Sequence, residues 1–194
     1  MNVKGHLRTI NHHKYLVTRM CFQVGLYKQG ILHDLSKYHP MEFIPGAVFY
    51  QGNRSPIARE KEANGISYGW LHHKGRNPHH FEYWIDYIMA DGSARLTGMK
   101  MPKKYVAEMV IDRICASKNY QKEKYTDASA LKYYIRTRPS MIIHPESDYL
   151  ARYLMTMLAR KGERFFLKYM KHVLLADRDG DYHVIDGRLI LGVK

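Results

Sequence analysis

The sequence is poor in the residues that staple, span or punctuate. It has two cysteines, Cys21 and Cys115, in 194 residues. That is too few for a disulfide scaffold, and both sit in apolar text. They read as buried free thiols of a reducing, cytoplasmic compartment. No run approaches the ~18 apolar residues needed to cross a bilayer, so no membrane partner is expected. The opening MNVKGHLRTINHHKY lacks the apolar core of a secretory signal. Repeats, low-complexity tracts and the strings of RNA-recognition, zinc-finger or helix-turn-helix modules are missing too. Acidic residues are scarce, 18 against 31 lysines and arginines, for a net charge of +13.

The sequence does contain enough apolar text, 45% of residues, to fold without staples, and its length suits one domain. The positive balance points to an anionic partner, foremost a small phosphate-containing substrate. Nucleic acid stays open without a motif. The competing reading is a basic surface that only aids solubility, since the cations are spread along the chain. Nothing in the sequence sets the oligomeric state.

Histidine is the over-represented residue. Of twelve, six fall in the adjacent pairs His12-His13, His72-His73 and His79-His80. Random placement would give fewer than one such pair. Histidine titrates near neutrality and is the commonest metal ligand, so its clustering asks for a chemical reason.

Helical periodicity dominates. Over residues 7–24 the apolar stripe reads Ile10, Val17, Met20 and Val24, in steps of three and four or their sum. His13 lies on that stripe and His12 is ~100° off it, so His13 points inward. Short helices are expected over 31–38, ending near Pro40, and over 41–50. Another runs from Pro56 to His73 with a break at Gly65. Pro78 is expected to open a helix carrying Phe81, Trp84, Ile85 and Ile88 on one side. ADGSARLTG reads as a loop. A strong helix follows over 102–120, its inner face reading Tyr105, Met109, Asp112 and Ala116. An aspartate on an apolar stripe is costly unless a cation or hydrogen-bond donors meet it. Further helices are expected over 127–136, 145–160 and 162–175. The tail YHVIDGRLIL alternates around Asp186-Gly187, a two-residue hairpin turn. DRDGD, residues 177–181, starts like a calcium loop but lacks the glutamate at position twelve. The expected fold is all-α with a small C-terminal β-hairpin: a helical domain over 1–175 and a tail over 176–194.

The inward polar residues form an ordered set: His13, then His33-Asp34, then the two later histidine pairs, then Asp112. Imidazole and carboxylate together suit Mn, Fe, Co, Ni or Zn as divalent ions. His13, His33, Asp34 and Asp112 could converge on one ion. Asp34, with two oxygens, could bridge to a second held by His72 or His73 and by His79 or His80. Lys37, three and four positions from Asp34 and His33, could meet an anion, as could Lys74 and Arg76. Glu82 could orient a histidine from behind. The competing readings are hydrogen-bonded core histidines, an Asp112–Arg113 pair, and histidines at a helix end satisfying carbonyls. His144, before Pro145, reads as a helix N-terminal residue. Tyr133-Tyr134 could stack on a base.

His33-Asp34-Leu35-Ser36-Lys37 resembles the HD-x-x-K string of HD phosphohydrolases and HD-GYP-type phosphodiesterases. Ile111-Asp112-Arg113 resembles the string that supplies their last aspartate. The whole order is similar to that of the HD-domain superfamily. The likeness is fuller, over about residues 1–175, with a bacterial and phage family that has no assigned activity and carries HDLSKY…WLHHKGRN-x-HH-x-EYW…DRIAASK text. The GYP string is absent, with KGRNPHHFEYW in its place. The resemblance implies an HD-like helical bundle with one or two metal ions and hydrolysis of a phosphate monoester or diester, such as a nucleotide. Asp34, Lys37 and Arg76 would be its catalytic residues. A di-iron oxygenase on the same fold, or a non-catalytic basic module with a structural metal, are the rival expectations.

Overall fold

A computed structural model describes residues 1–192; Val193 and Lys194, the end of the expected tail, lie outside the described residues. The chain is mostly helical. In order it runs α1 (Val3–Gln23), α2 (Tyr27–Leu32), α3 (Pro40–Val48), α4 (Pro56–Asn64) and α5 (Tyr68–Lys74). A hairpin follows, β1 (Ile85–Ala90) and β2 (Ser93–Gly98). Then come α6 (Lys103–Gln121), α7 (Ser129–Thr137), α8 (Pro145–Tyr169) and a second hairpin, β3 (Tyr182–Ile185) and β4 (Arg188–Leu191). No helix among the described residues is long and apolar enough to cross a membrane.

α1 starts where the Asn2 side chain accepts from the Gly5 amide, and its apolar stripe is buried as the spacing requires. That stripe packs on α6, which in turn packs on α7 and α8. Val17 and Cys21 of α1 meet Val106, Val110, Ile111 and Ile114 of α6 and Leu150, Leu154 and Leu158 of α8 in one core. Each such fully buried aliphatic side chain contributes about 1.5–3 kcal/mol. Cys21 and Cys115 are buried free thiols in this core.

The expected single stripe of α6 is wrong. Met109 is buried, but Tyr105, Asp112 and Ala116 are only half-buried, whereas Val106, Ala107, Val110, Ile111, Ile114 and Cys115 are fully buried. α6 is the central helix, covered on several sides, so one amphipathic face does not describe it.

The expected helix from Pro78 is also wrong. The segment forms a 3₁₀ turn over Phe81–Trp84, and then β1 and β2 pair antiparallel, Ala90 opposite Ser93. Asp91 (φ 51°) and Gly92 (φ 74°) make the two-residue turn. This is the Asp-Gly signal that correctly marks the C-terminal hairpin, where Asp186 (φ 49°) and Gly187 (φ 70°) join β3 to β4. The tail hairpin is tied to the core: Tyr182 is fully buried, and its hydroxyl lies 2.9 Å from both the Met101 carbonyl and Ser147 Oγ.

A third correction concerns residues 31–38. α2 ends at Leu32, and His33 and Asp34 fall in the break before a 3₁₀ turn over Leu35–Tyr38. Asp34 is left-handed, φ 55°, a conformation a non-glycine residue holds at some cost and one that clusters at functional sites.

Where α1 crosses α3, Gly46 is required: a Cβ there would lie 2.3 Å from His6 Nε2. Burial first, and the nearby Lys37 charge second, push His6 down to about 4 from its ordinary 6.5. The neutral ring is the native form, so its contribution is complete above pH 6.5 and is lost as pH falls toward 4. The loss is about 3 kcal/mol. His6→Leu should lose this much less stability than wild type between pH 7 and 4, measured by urea unfolding. Equal losses would refute the assignment.

Candidate metal centre

Six chain segments meet at one buried cluster. α1 supplies His13, the break after α2 supplies His33 and Asp34, and α5 supplies His73. The turn before Phe81 supplies His79 and His80. α6 supplies Glu108 and Asp112, and α3 supplies Glu42.

Three groups of ligand atoms form, each within 4.8 Å of one another; two of them share Asp34, and the third is His33, His79 and Glu108, behind them. In the first, His13 Nε2 lies 2.9 Å from Asp112 Oδ1 and 3.7 Å from Asp34 Oδ2. His33 Nε2 lies 3.3 Å from Asp34 Oδ2, 3.6 Å from Asp112 Oδ1 and 3.4 Å from His13 Nε2. In the second, Asp34 Oδ1 lies 3.2 Å from His73 Nε2 and 3.4 Å from His79 Nε2. His80 Nε2 completes it, 2.9 Å from His73 Nε2. The aspartate thus turns one oxygen toward each group.

The ring tautomers follow from what stands behind. His33 Nδ1 lies 3.0 Å and His79 Nδ1 3.2 Å from the same oxygen, Glu108 Oε1. His73 Nδ1 lies 2.7 Å from Glu42 Oε2. An ionised carboxylate only accepts, so each Nδ1 carries the hydrogen and donates. A ring in its neutral form then aims its Nε2 lone pair at carboxylate oxygens or at another Nε2. Lone pairs facing lone pairs in a buried site need a cation between them, a proton or a metal ion. The orphaned atoms say the same. Both oxygens of Asp34 and Nε2 of His79 are buried without a hydrogen-bond partner, although Lys37 Nζ stands 2.6 Å from Asp34 Oδ2 outside hydrogen-bond geometry. Nitrogen and carboxylate donors backed by a second layer of carboxylates fit a divalent transition metal.

Burial opposes charge on His33, but Asp34, Asp112 and Glu108 outweigh it and hold its pKa well above the ordinary value. Burial likewise opposes ionisation of Asp34, yet His33, Lys37 and His73 keep it far below the carboxylate range. Asp112 is held down in the same way by His13 and His33. His80 goes the other way: burial, then His79 and His73, drive it well below its usual value. Buried titratable groups shifted in opposite directions by burial and by one another are a mark of functional sites.

The other expected site residues lie around this centre rather than in it. His72 turns away, its Nδ1 2.5 Å from Glu42 Oε1 and its ring stacked on His39 at 4.6 Å. Arg76 donates to the His72 carbonyl at 3.2 Å, closing the end of α5. Lys74 is half-buried in the last turn of the same helix. Lys37, its side chain 27% exposed, is the cation at the rim. Glu82 is half-buried and burial raises its pKa; the places behind the histidines belong to Glu42 and Glu108. Asp112 does not pair with Arg113, whose guanidinium lies over the Tyr134 ring. Tyr134 is buried and bonded to Asp148 while Tyr133 is exposed, so the two form no platform for a base. His144 caps α8, accepting from the Glu146 amide. Asp179 and Asp181 pair with Lys104 and Lys100.

Sequence reasoning missed Glu42 and Glu108, and with them Ser36 and Asn77. Asn77 donates to the His73 carbonyl at 2.7 Å and to Ser36 Oγ at 2.8 Å, locking the end of α5. Glu108 had a signal: it stands four residues before Asp112, on the same helix face.

The fold and site therefore define a helical domain whose buried histidines and carboxylates can hold a metal. The chain matches a family model described as "Family of unknown function (DUF5662)" over residues 2–158, and it belongs to that family. The matched segment contains every residue of the centre. No curated protein and no solved structure matches the chain.

Proposed function

We propose that the chain is an HD-like, metal-dependent phosphohydrolase acting on a phosphate monoester or diester, a nucleotide or a related small anion. The observation that carries this reading is Asp34, a buried carboxylate shared by two groups of metal-ligating atoms, whose oxygens have no hydrogen-bond partner and meet one ammonium, that of Lys37. His13, His33, Asp34 and Asp112 hold one ion; His73, His79, His80 and the other oxygen of Asp34 are the donors for a second. Mn, Fe, Co, Ni or Zn suits these donors. When bound, such ions lower the pKa of water toward neutrality and polarise a phosphoryl oxygen. Glu108 and Glu42 hold the imidazoles in the ligating tautomer. Lys37, at the rim, offsets charge on the phosphoryl oxygens. Arg76, spent on a carbonyl, is left out of the catalytic set.

The test is hydrolysis of a generic aryl phosphate and a nucleotide panel by the Mn-loaded protein. Lys37→Met should lower kcat by about 10²–10³, with the rate taken per bound ion because Lys37 also stands 2.6 Å from Asp34 Oδ2. Silence on every phosphate with the metal in place would remove the hydrolase reading. Three imidazoles and one carboxylate in the second group also suit iron. An iron-loaded protein that changes colour with O₂, and leaves phosphates untouched, would move the assignment to an HD-fold oxygenase.

A further inference from the structure

The outer face of α8 carries a second opening, remote from the metal ligands in sequence. Gly162 (φ 79°, ψ 166°) interrupts α8, a backbone that only glycine adopts without strain. Residues on both sides of this break line an open groove of about 510 Å³. Its floor is aromatic: Tyr149 and Tyr153 lie parallel within 13°, ring centres 6.3 Å apart, and Tyr153 meets Tyr169 at 5.9 Å. Phe165 adds a half-exposed ring. The charged lining residues are Arg152, Arg160 and Lys161, with no carboxylate among them. Arg152 is held by Asp148 at 3.2 Å, while Arg160 and Lys161 form no ion pair among the described residues.

Part-exposed aromatic rings beside unpaired cations select a ligand that is both flat and anionic. Aliphatic phosphates would leave the rings unused, and neutral aromatics would leave the cations unused. We propose that this groove binds nucleotide units, the base stacked on the tyrosines and the phosphate on Arg160 and Lys161. An open groove with several ring faces favours successive units of a single strand. This site is separate from the metal centre and does not depend on its chemistry.

The experiment is fluorescence anisotropy of the full chain with a labelled oligo(dT) ten-mer, from 50 to 200 mM salt, with AMP as competitor. Binding should weaken as salt rises. Tyr153→Ala should weaken it about tenfold. The double variant Arg160→Ala, Lys161→Ala should reduce the salt slope by about one to two. Circular dichroism melts and metal content, read on each variant, separate lost binding from lost folding. AMP that competes as well per nucleotide as the ten-mer identifies a free nucleotide as the source; AMP that competes poorly identifies the strand. No binding of either probe overturns the proposal, as does binding that ignores all three substitutions. A dimer that Tyr153→Glu splits, with neither probe bound, gives the groove to a second copy of the chain instead.

Discussion

Asp34→Ala should leave the protein without tightly bound metal at either group of ligand atoms. Asp34 is the only residue common to both, one oxygen facing His13 and His33 and the other His73 and His79. In a four-ligand transition-metal site each ligand is worth about 3 kcal/mol, close to a hundredfold in affinity. One substitution thus costs about a hundredfold twice over. Elemental analysis of protein purified without a polyhistidine tag reads the result as ions per chain. Asp34→Asn should behave alike, because the amide keeps the shape and loses the charge that balances His33 and Lys37. Metal content unchanged in both variants would mean that Asp34 is not a ligand, and wild-type protein that holds no ion would mean that the cluster is a hydrogen-bonded core.

Glu108→Gln should weaken metal binding by about 10–100-fold without removing a ligand. One oxygen of Glu108 accepts from both His33 Nδ1 and His79 Nδ1. A glutamine oxygen can still accept, but its amino group offers hydrogens that the flipped side chain would press against two N–H groups. The rings then lose their fixed tautomer and orientation. Because His33 and His79 belong to different groups, both groups should weaken together. Glu42→Gln is the contrast: Glu42 backs His73 and His72, so only the group containing His73 should weaken. Metal titrations with a competing chelator separate the two patterns. If Glu108→Gln binds metal like wild type, the outer carboxylates have no part in ordering the site.

The inward direction of His13 was legible because a helix repeats every 3.6 residues, and the stripe around it is unbroken. The choice within His72-His73 was not. Neighbours on a helix differ by ~100°, and only the packing of α5 against α3 sends His73 toward Asp34 and His72 toward Glu42 and His39. His79 and His80 both turn inward because they stand in an irregular turn, where no helical rule separates adjacent side chains. The β1–β2 hairpin was misread for a related reason. Phe81, Trp84, Ile85 and Ile88 fit a helical spacing, and over so short a run period alone cannot tell helix from strand. The Asp91-Gly92 turn was the deciding signal, as Asp186-Gly187 was at the other end of the chain.

The sequence alone determined the ligand types of the centre: an excess of paired histidines, a His-Asp dipeptide and an aspartate on an apolar helix. These are local properties, set by residue type and period. The tertiary structure alone decided which atoms meet. Glu42 reaches His72 across 30 positions and Glu108 reaches His33 across 75. Contacts so distant in the chain come from helices packing around a shared core, and no local period encodes them.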